Sequence, residues 1–190
     1  MEPKYFSDQV FESVEYTQPK KTPHAFEACT FINCDFSKAD LGGDDFLDCE
    51  FLGCNFSMAT MENTGMKNSR FRQCKLVGID FSRCNNFNFS VSFHHCPMDY
   101  CSFFQKKMKK TEFKDCSLKE ADFTECDLSM ATFHECDLQQ AGFVHTNLEK
   151  ADFSTARHYI FDPELNRVKK AKFSMPAVTG LLAKYDLDIE

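Results

Sequence analysis

The chain has 190 residues, of which 43% are apolar and 27% charged, with a formal net charge of -7. That is enough for one domain of ordinary size or slightly more. Those values exclude a disordered acidic tail, a collagen-like fibre and a nucleic-acid binder that works through bulk positive charge. Phe is nonetheless the commonest residue at 22, Leu has only 12, Trp is absent and there are 11 Cys.

The N-terminus, MEPKYFSDQV, lacks the apolar core of a secretory signal. No window approaches the run of about 18 apolar residues that a membrane-crossing helix needs. An odd number of cysteines without a signal points to a reducing cytoplasm rather than a disulfide scaffold. Phe6, Phe11 and Tyr16 stand five apart. They predict a partial coil or edge strand within residues 1–23, with Gln18 to Pro23 as a loop.

From Phe26 a period of five takes over. Phe26, Phe31, Phe36, Leu41, Phe46, Phe51, Phe56, Met61, Met66, Phe71, Leu76 and Phe81 form one run. Phe93, Met98, Phe103, Met108, Phe113, Leu118, Phe123, Leu128, Phe133, Leu138, Phe143, Leu148 and Phe153 form a second. Two before each such centre stands Cys, Ala, Thr or Ser, the misfits being His24, Asp44, Ile79, Val91 and Lys106. All the cysteines fall there if Cys84 belongs to an interrupted repeat centred on Asn86.

A period of five is neither the 3.6 of a helix nor the 2 of a strand. Two inward positions separated by one outward residue make a short extended segment. The remaining residues must turn a corner, so the chain coils one side per pentapeptide around a thin core. In the second run Phe alternates with Leu or Met, which favours an even number of sides. Four sides give a 20-residue coil with stacked columns such as Phe93, Phe113, Phe133 and Phe153. Cys34, Cys54, Cys74 and Cys96, Cys116, Cys136 stack likewise as small buried thiols.

These repeats, with Ala39-Asp40-Leu41, Ala121-Asp122-Phe123, Cys126-Asp127-Leu128 and Thr146-Asn147-Leu148, resemble the pentapeptide-repeat family, whose consensus is A(D/N)LXX. The resemblance covers residues 24–156. It implies an all-β fold, a right-handed quadrilateral β-helix, here with Cys used heavily where Ala is usual. Phe81 and Phe93 are separated by twelve residues rather than ten, so a bulge or short loop is expected within 82–92.

Beyond Phe153 the chain leaves the coil through a loop around Asp162-Pro163-Glu164. It returns in register at Ala171-Lys172-Phe173, one coil beyond Ala151-Asp152-Phe153. Ser174 then reads as the N-cap of a short C-terminal α-helix with Pro176 in its first turn. Val178, Leu181, Leu182 and Tyr185 form its apolar stripe, and Leu187-Asp188-Ile189 alternates like a strand. A solenoid end needs a cap or a partner, and this segment over 157–190 serves as either.

Enzyme signatures are missing. Ser37, Ser57, Ser82, Ser129 and Ser154 each follow a centre directly, a turn position rather than a nucleophile elbow. No phosphate-binding glycine loop occurs. His94, His95 and Cys96 beside Cys101 are the one tempting metal cluster, but adjacent side chains of an extended chain point apart. No catalysis, metal or cofactor is expected.

Charge is the remaining signal. Residues 111–156 hold ten acidic and three basic side chains. Sorted by side, the Phe93, Met98 and Phe103 faces are acidic. The Met108 face carries Lys106, Lys107, Lys109, Lys110 and Lys150. The candidate acidic binding surface is Glu112, Asp115, Glu120, Asp122, Glu125, Glu135, Asp137 and Asp152, and it fits a positively charged partner.

The DPELNRVKKAKF segment and the terminal AVTGLLAKY resemble the quinolone-resistance (Qnr-type) and microcin-immunity branch of the family. That resemblance implies a homodimer through the C-terminal segment. It also implies an acidic DNA mimic that binds DNA gyrase or topoisomerase IV and protects it from quinolones or toxins, without itself binding nucleic acid or membrane. The alternative is a general protein-interaction scaffold. Duplex DNA carries one charge per about 1.7 Å, so a rod of roughly 30 Å would need roughly 18 net charges to match it. Residues 24–156 supply 20 acidic against 13 basic side chains, so only one or two faces can imitate DNA.

Overall fold

The computed structural model describes residues 3–16 and 22–188. Each pentapeptide contributes a short extended side and a corner. The inward centre and the small inward residue two before it bracket one outward residue. All the centres from Phe26 to Phe81 and from Phe93 to Phe153 are buried.

Coils stack at an offset of 20 residues, which establishes four sides. The Phe93 face is a sheet of nine parallel strands: Val10–Glu12, Thr30–Ile32, Glu50–Leu52, Ser69–Arg72, Val91–His94, Glu112–Lys114, Thr132–His134, Asp152–Phe153 and Lys172–Phe173. Its registers pair Phe11 with Phe31, Phe51 with Phe71, Phe113 with Phe133 and Phe153 with Phe173. Nine rungs about 4.8 Å apart make a rod roughly 38 Å long. The first coil, expected as a partial coil or edge strand, opens with Lys4–Ser7 and Val10–Glu12. Most of the expected loop over Gln18 to Pro23 lies outside the described residues, as does Ile189.

The core is an aromatic stack. Phe113 lies parallel to Phe93 and Phe133 at 5.4 and 5.0 Å between ring centres. It meets Phe123 edge-on at 5.9 Å. Stacking along the rod and edge contacts across it are both favoured ring geometries. This explains why Phe, flat and rigid, repeats at the centre.

The position two before the centre takes small residues that can also donate. Cys54 Sγ donates to Phe31 O, Cys74 Sγ to Phe51 O, Thr64 Oγ1 to Leu41 O and Thr146 Oγ1 to Phe123 O. Each reaches the carbonyl 23 residues back, so a buried acceptor gains a second partner. All eleven cysteines are buried and free. Burial pushes the thiols of Cys49, Cys84, Cys101 and Cys126 up to about 12, outweighing the opposing pull of Lys106 on Cys84 and Cys126.

The corner residue two after the centre has a left-handed backbone: Lys38 at φ 59°, Asp115 at 51°, Glu125 at 58° and Lys150 at 59°. This conformation costs an L-residue about 1–2 kcal/mol. Hydrogen bonds between coils offset it, as from Lys38 N to Ser57 O. The Asp or Asn before the centre closes the same corner. Its Oδ1 accepts from the amide two residues on, as Asp122 does from Thr124 and Asp127 from Ser129.

The expected irregularity is a 3-10 turn at Phe81–Arg83 followed by an outward loop. Across it the register steps by 22, pairing Phe71 with Phe93. Asn86 is not the inward centre that the repeat implied. It is exposed, and Phe89 fills the core in its place. Lys106, fully buried, explains the exchange. Its ammonium donates to Cys84 O at 2.5 Å and to Asn86 Oδ1 at 2.6 Å, and sits 5.1 Å over the Phe89 ring. The loop thus supplies the acceptors that a buried ammonium requires. Burial lowers the Lys106 pKa. The four-stranded sheet of Lys4–Ser7, His24–Glu27, Asp45–Leu47 and Gly65–Lys67 ends at this loop.

The C-terminal α-helix is corrected. Val178–Leu181 and Ala183–Tyr185 are two 3-10 turns. The N-cap is Ala177, with no side-chain bond, rather than Ser174. Val178, Thr179 and Gly180 are weak helix formers. Gly180 is pressed on the preceding coil, where a Cβ would lie 2.0 Å from Tyr159 O. Asp186 turns left-handed at φ 49° and stops the run. Leu187 and Asp188 form no strand.

Candidate functional site

The coil geometry divides the acidic candidates into two kinds. Asp122, Asp137 and Asp152 stand directly before a centre, half-buried, and hold corners through the amides of Thr124, Gln139 and Ser154. Burial of Asp137 opposes ionisation. A hydrogen bond to His158 at 2.8 Å, the Gln139 amide and Lys119 outweigh it and hold the carboxyl below its ordinary value. Asp152 is likewise lowered: Ser154 and Lys172 outweigh its burial. These carboxylates are built into the turns.

Glu112, Asp115, Glu120, Glu125 and Glu135 are exposed. The last four occupy left-handed corners, so their backbone directions are fixed. Asp115 and Glu135 share one corner in successive coils. Within a single coil Asp115, Glu120 and Glu125 mark three consecutive corners. Asp115 lies 3.6 Å from His95, Glu112 lies 3.5 Å from His94, and Glu125 accepts from Gln105. The acidic surface is therefore a set of ridges along three corners rather than one flat face.

The histidine–cysteine cluster does not converge. His94 and His95 pair with different carboxylates. Cys96 and Cys101 point inward and donate to Phe71 O and Leu76 O. Among the described residues no group of three or more His, Cys, Asp or Glu is arranged to hold a metal ion. None of the described helical turns is long and apolar enough to cross a membrane.

The C-terminal candidates separate as well. Leu181 is buried and Val178 half-buried against the last coil, where they cover the core end. Leu182 and Tyr185 are exposed. Lys184 Nζ clamps the turns to the loop through Asp162 at 2.8 Å and Glu164 at 2.7 Å, and Tyr185 OH donates to Glu164.

Sequence reasoning left three cations out of the basic face. Parallel bridges join Lys107 to Asp127, Asp127 to Asn147 and Asn147 to Arg167. Lys150 N donates to Lys169 O. Arg167, Lys169 and Lys170 thus extend the Met108 face. The signal was available in the register of Phe153 with Phe173, which carries residues 167–170 onto that side. Phe87, an exposed aromatic on the inserted loop, was also not singled out.

Family models fit this architecture. One described as a pentapeptide repeat region matches residues 24–103, and one of eight pentapeptide repeats matches residues 116–154. No curated protein matched the sequence. Among solved structures, a trypsin-treated form of QnrB1, a plasmid-mediated fluoroquinolone resistance protein, aligns over 99% of this chain and 98% of its own. It has 19% identity and a TM-score of 0.59. HetL, a pentapeptide repeat protein involved in heterocyst differentiation regulation from the cyanobacterium Nostoc sp. strain PCC 7120, aligns over 90% of this chain and 84% of its own. It has 14% identity and a TM-score of 0.48. The repeat matches, the four-sided coil and the left-handed corners agree: the chain belongs to the pentapeptide-repeat family.

Proposed function

We propose that the protein is a non-catalytic protein-binding rod whose acidic corners dock on the DNA-binding surface of a type II topoisomerase and protect it from quinolones or toxins. The observation that carries this reading is the row of exposed carboxylates at fixed corners: Asp115, Glu120, Glu125 and Glu135. A rigid ladder of negative charge is what a groove built for phosphates recognises. The fold shared with QnrB1 along nearly the whole chain supports the direction of the reading.

The corner geometry selects the variant that tests it. Lys at Glu120, Glu125 and Glu135 reverses projecting charges without removing a turn acceptor. Binding to purified gyrase, measured by anisotropy of the labelled protein, is expected to fall at least tenfold, as for loss of about 1.4 kcal/mol or more. Unchanged affinity in a folded variant would move the reading to a general interaction scaffold.

A further inference from the structure

The Met108 face changes sign along the rod. Before the inserted loop its outward charged residues are Asp8, Glu27, Asp45 and Asp48 against Lys67. After it they are Lys107, Lys109, Lys110, Lys150, Arg167, Lys169 and Lys170, all exposed. The two carboxylates among them are already engaged. Asp127 accepts from Ser129 N and Asn147 Nδ2, and Glu149 pairs with Arg167 at 2.7 Å. Among the described residues no carboxylate forms an ion pair with the six lysines. Lys110, Lys150 and Lys170 repeat at one left-handed corner, at φ 63°, 59° and 59°, with half-buried Met130 between the first two.

We propose that this half of the Met108 face binds the phosphate backbone of duplex DNA. Six exposed ammonium groups carried on one side of a rigid coil offer point charges of the kind by which Lys recognises phosphates. The one Arg is committed to Glu149, so no free guanidinium fork is offered to a partner's carboxylates. Phe87 on the inserted loop borders the face as an exposed aromatic, but no aromatic stands within the rows of Lys107, Lys110, Lys150 and Lys170 themselves, where a protein interface or single-stranded bases would need an anchor. Between Lys107 and Lys110 and between Arg167 and Lys170 no large apolar side chain is exposed to insert into a lipid surface, although Phe87 on the inserted loop borders them. The net charge of -7 is a whole-chain sum, whereas this half of the face carries seven cations against Asp127 and Glu149, and it is the local balance that meets a ligand at close range. The proposal does not rest on the topoisomerase reading.

The test uses the full chain and a fluorescein-labelled duplex of about 30 base pairs, with no topoisomerase present. Binding is expected at about 50 mM salt, and it weakens by up to about 10³ by about 200 mM if all six lysines engage phosphates. Lys107→Glu, Lys110→Glu and Lys150→Glu together are expected to abolish it, whereas the Glu120, Glu125 and Glu135 variant retains it. Circular dichroism melting of each variant separates misfolding from lost contact. The proposal is overturned by no binding at low salt, or by binding that the folded lysine variant keeps. Capture by anionic phosphatidylglycerol vesicles but not by duplex would overturn it in favour of a membrane surface.

Discussion

Phe123 shows how little freedom a single residue has in this coil. Its ring is fully buried, parallel to Phe103 at 5.2 Å and Phe143 at 5.0 Å, and edge-on to Phe113 and Phe133 at 5.9 Å. Neighbouring coils are tied by inter-coil hydrogen bonds on all sides, so the site cannot collapse. Phe123→Ala is expected to cost about 3–5 kcal/mol in chemical denaturation; a loss under about 1 kcal/mol would show the ring is not a core element. The inward pattern was legible because five-residue spacing of Phe, Leu and Met has no other economical explanation. The fate of Asn86 was not. An amide cannot sit unsatisfied in the core; the repeat places Lys106 at an inward position, but does not reveal that its ammonium takes Asn86 as an acceptor from the loop one coil back.

At the scale of elements, the period predicted the sides and the return of Lys172–Phe173, but not the character of the C-terminal turns. The stripe of Val178, Leu181, Leu182 and Tyr185 has α-helical spacing, yet the chain forms two 3-10 turns there. The contact that decides, Gly180 against the Tyr159 carbonyl, joins residues whose proximity requires the coil to be known. The same holds for the acidic candidates. Asp122 and Glu120 are two residues apart, yet one closes a turn and the other projects, a distinction visible only once corners are located.

The clamp on these turns gives a pH dependence. Lys184 holds Asp162 and Glu164 below their ordinary pKa values. A depressed carboxyl stabilises fully above its unfolded pKa, near 4, and that stability is lost as pH falls through the folded pKa. Amide exchange of residues 178–185, corrected for its intrinsic rate, is expected to accelerate as pH drops below about 4. Lys184→Met should remove most of that dependence. A wild-type profile as flat as the variant's would show that the clamp does not hold the cap.

The whole molecule is a rod of roughly 38 Å from nine rungs, with carboxylates on three corners and ammonium groups along the fourth side beyond the loop. This polarity constrains how it can meet a topoisomerase. A positively charged DNA groove attracts the Asp115, Glu120 and Glu125 corners and repels the lysine side. On the proposed topoisomerase reading, the rod is expected to dock with the Met108 face turned away from the enzyme. Matching duplex charge over such a length would take roughly 22 charges, far above the net -7 of the chain, so recognition depends on local ridges.

The most direct measurement of the central claim is a supercoiling assay with purified gyrase, a fluoroquinolone and increasing amounts of this protein. The account predicts that supercoiling returns at sub-stoichiometric to modest excess, and that the Glu120, Glu125 and Glu135 charge-reversed variant restores far less. Supercoiling that stays blocked at every ratio of a folded wild-type protein would contradict topoisomerase protection.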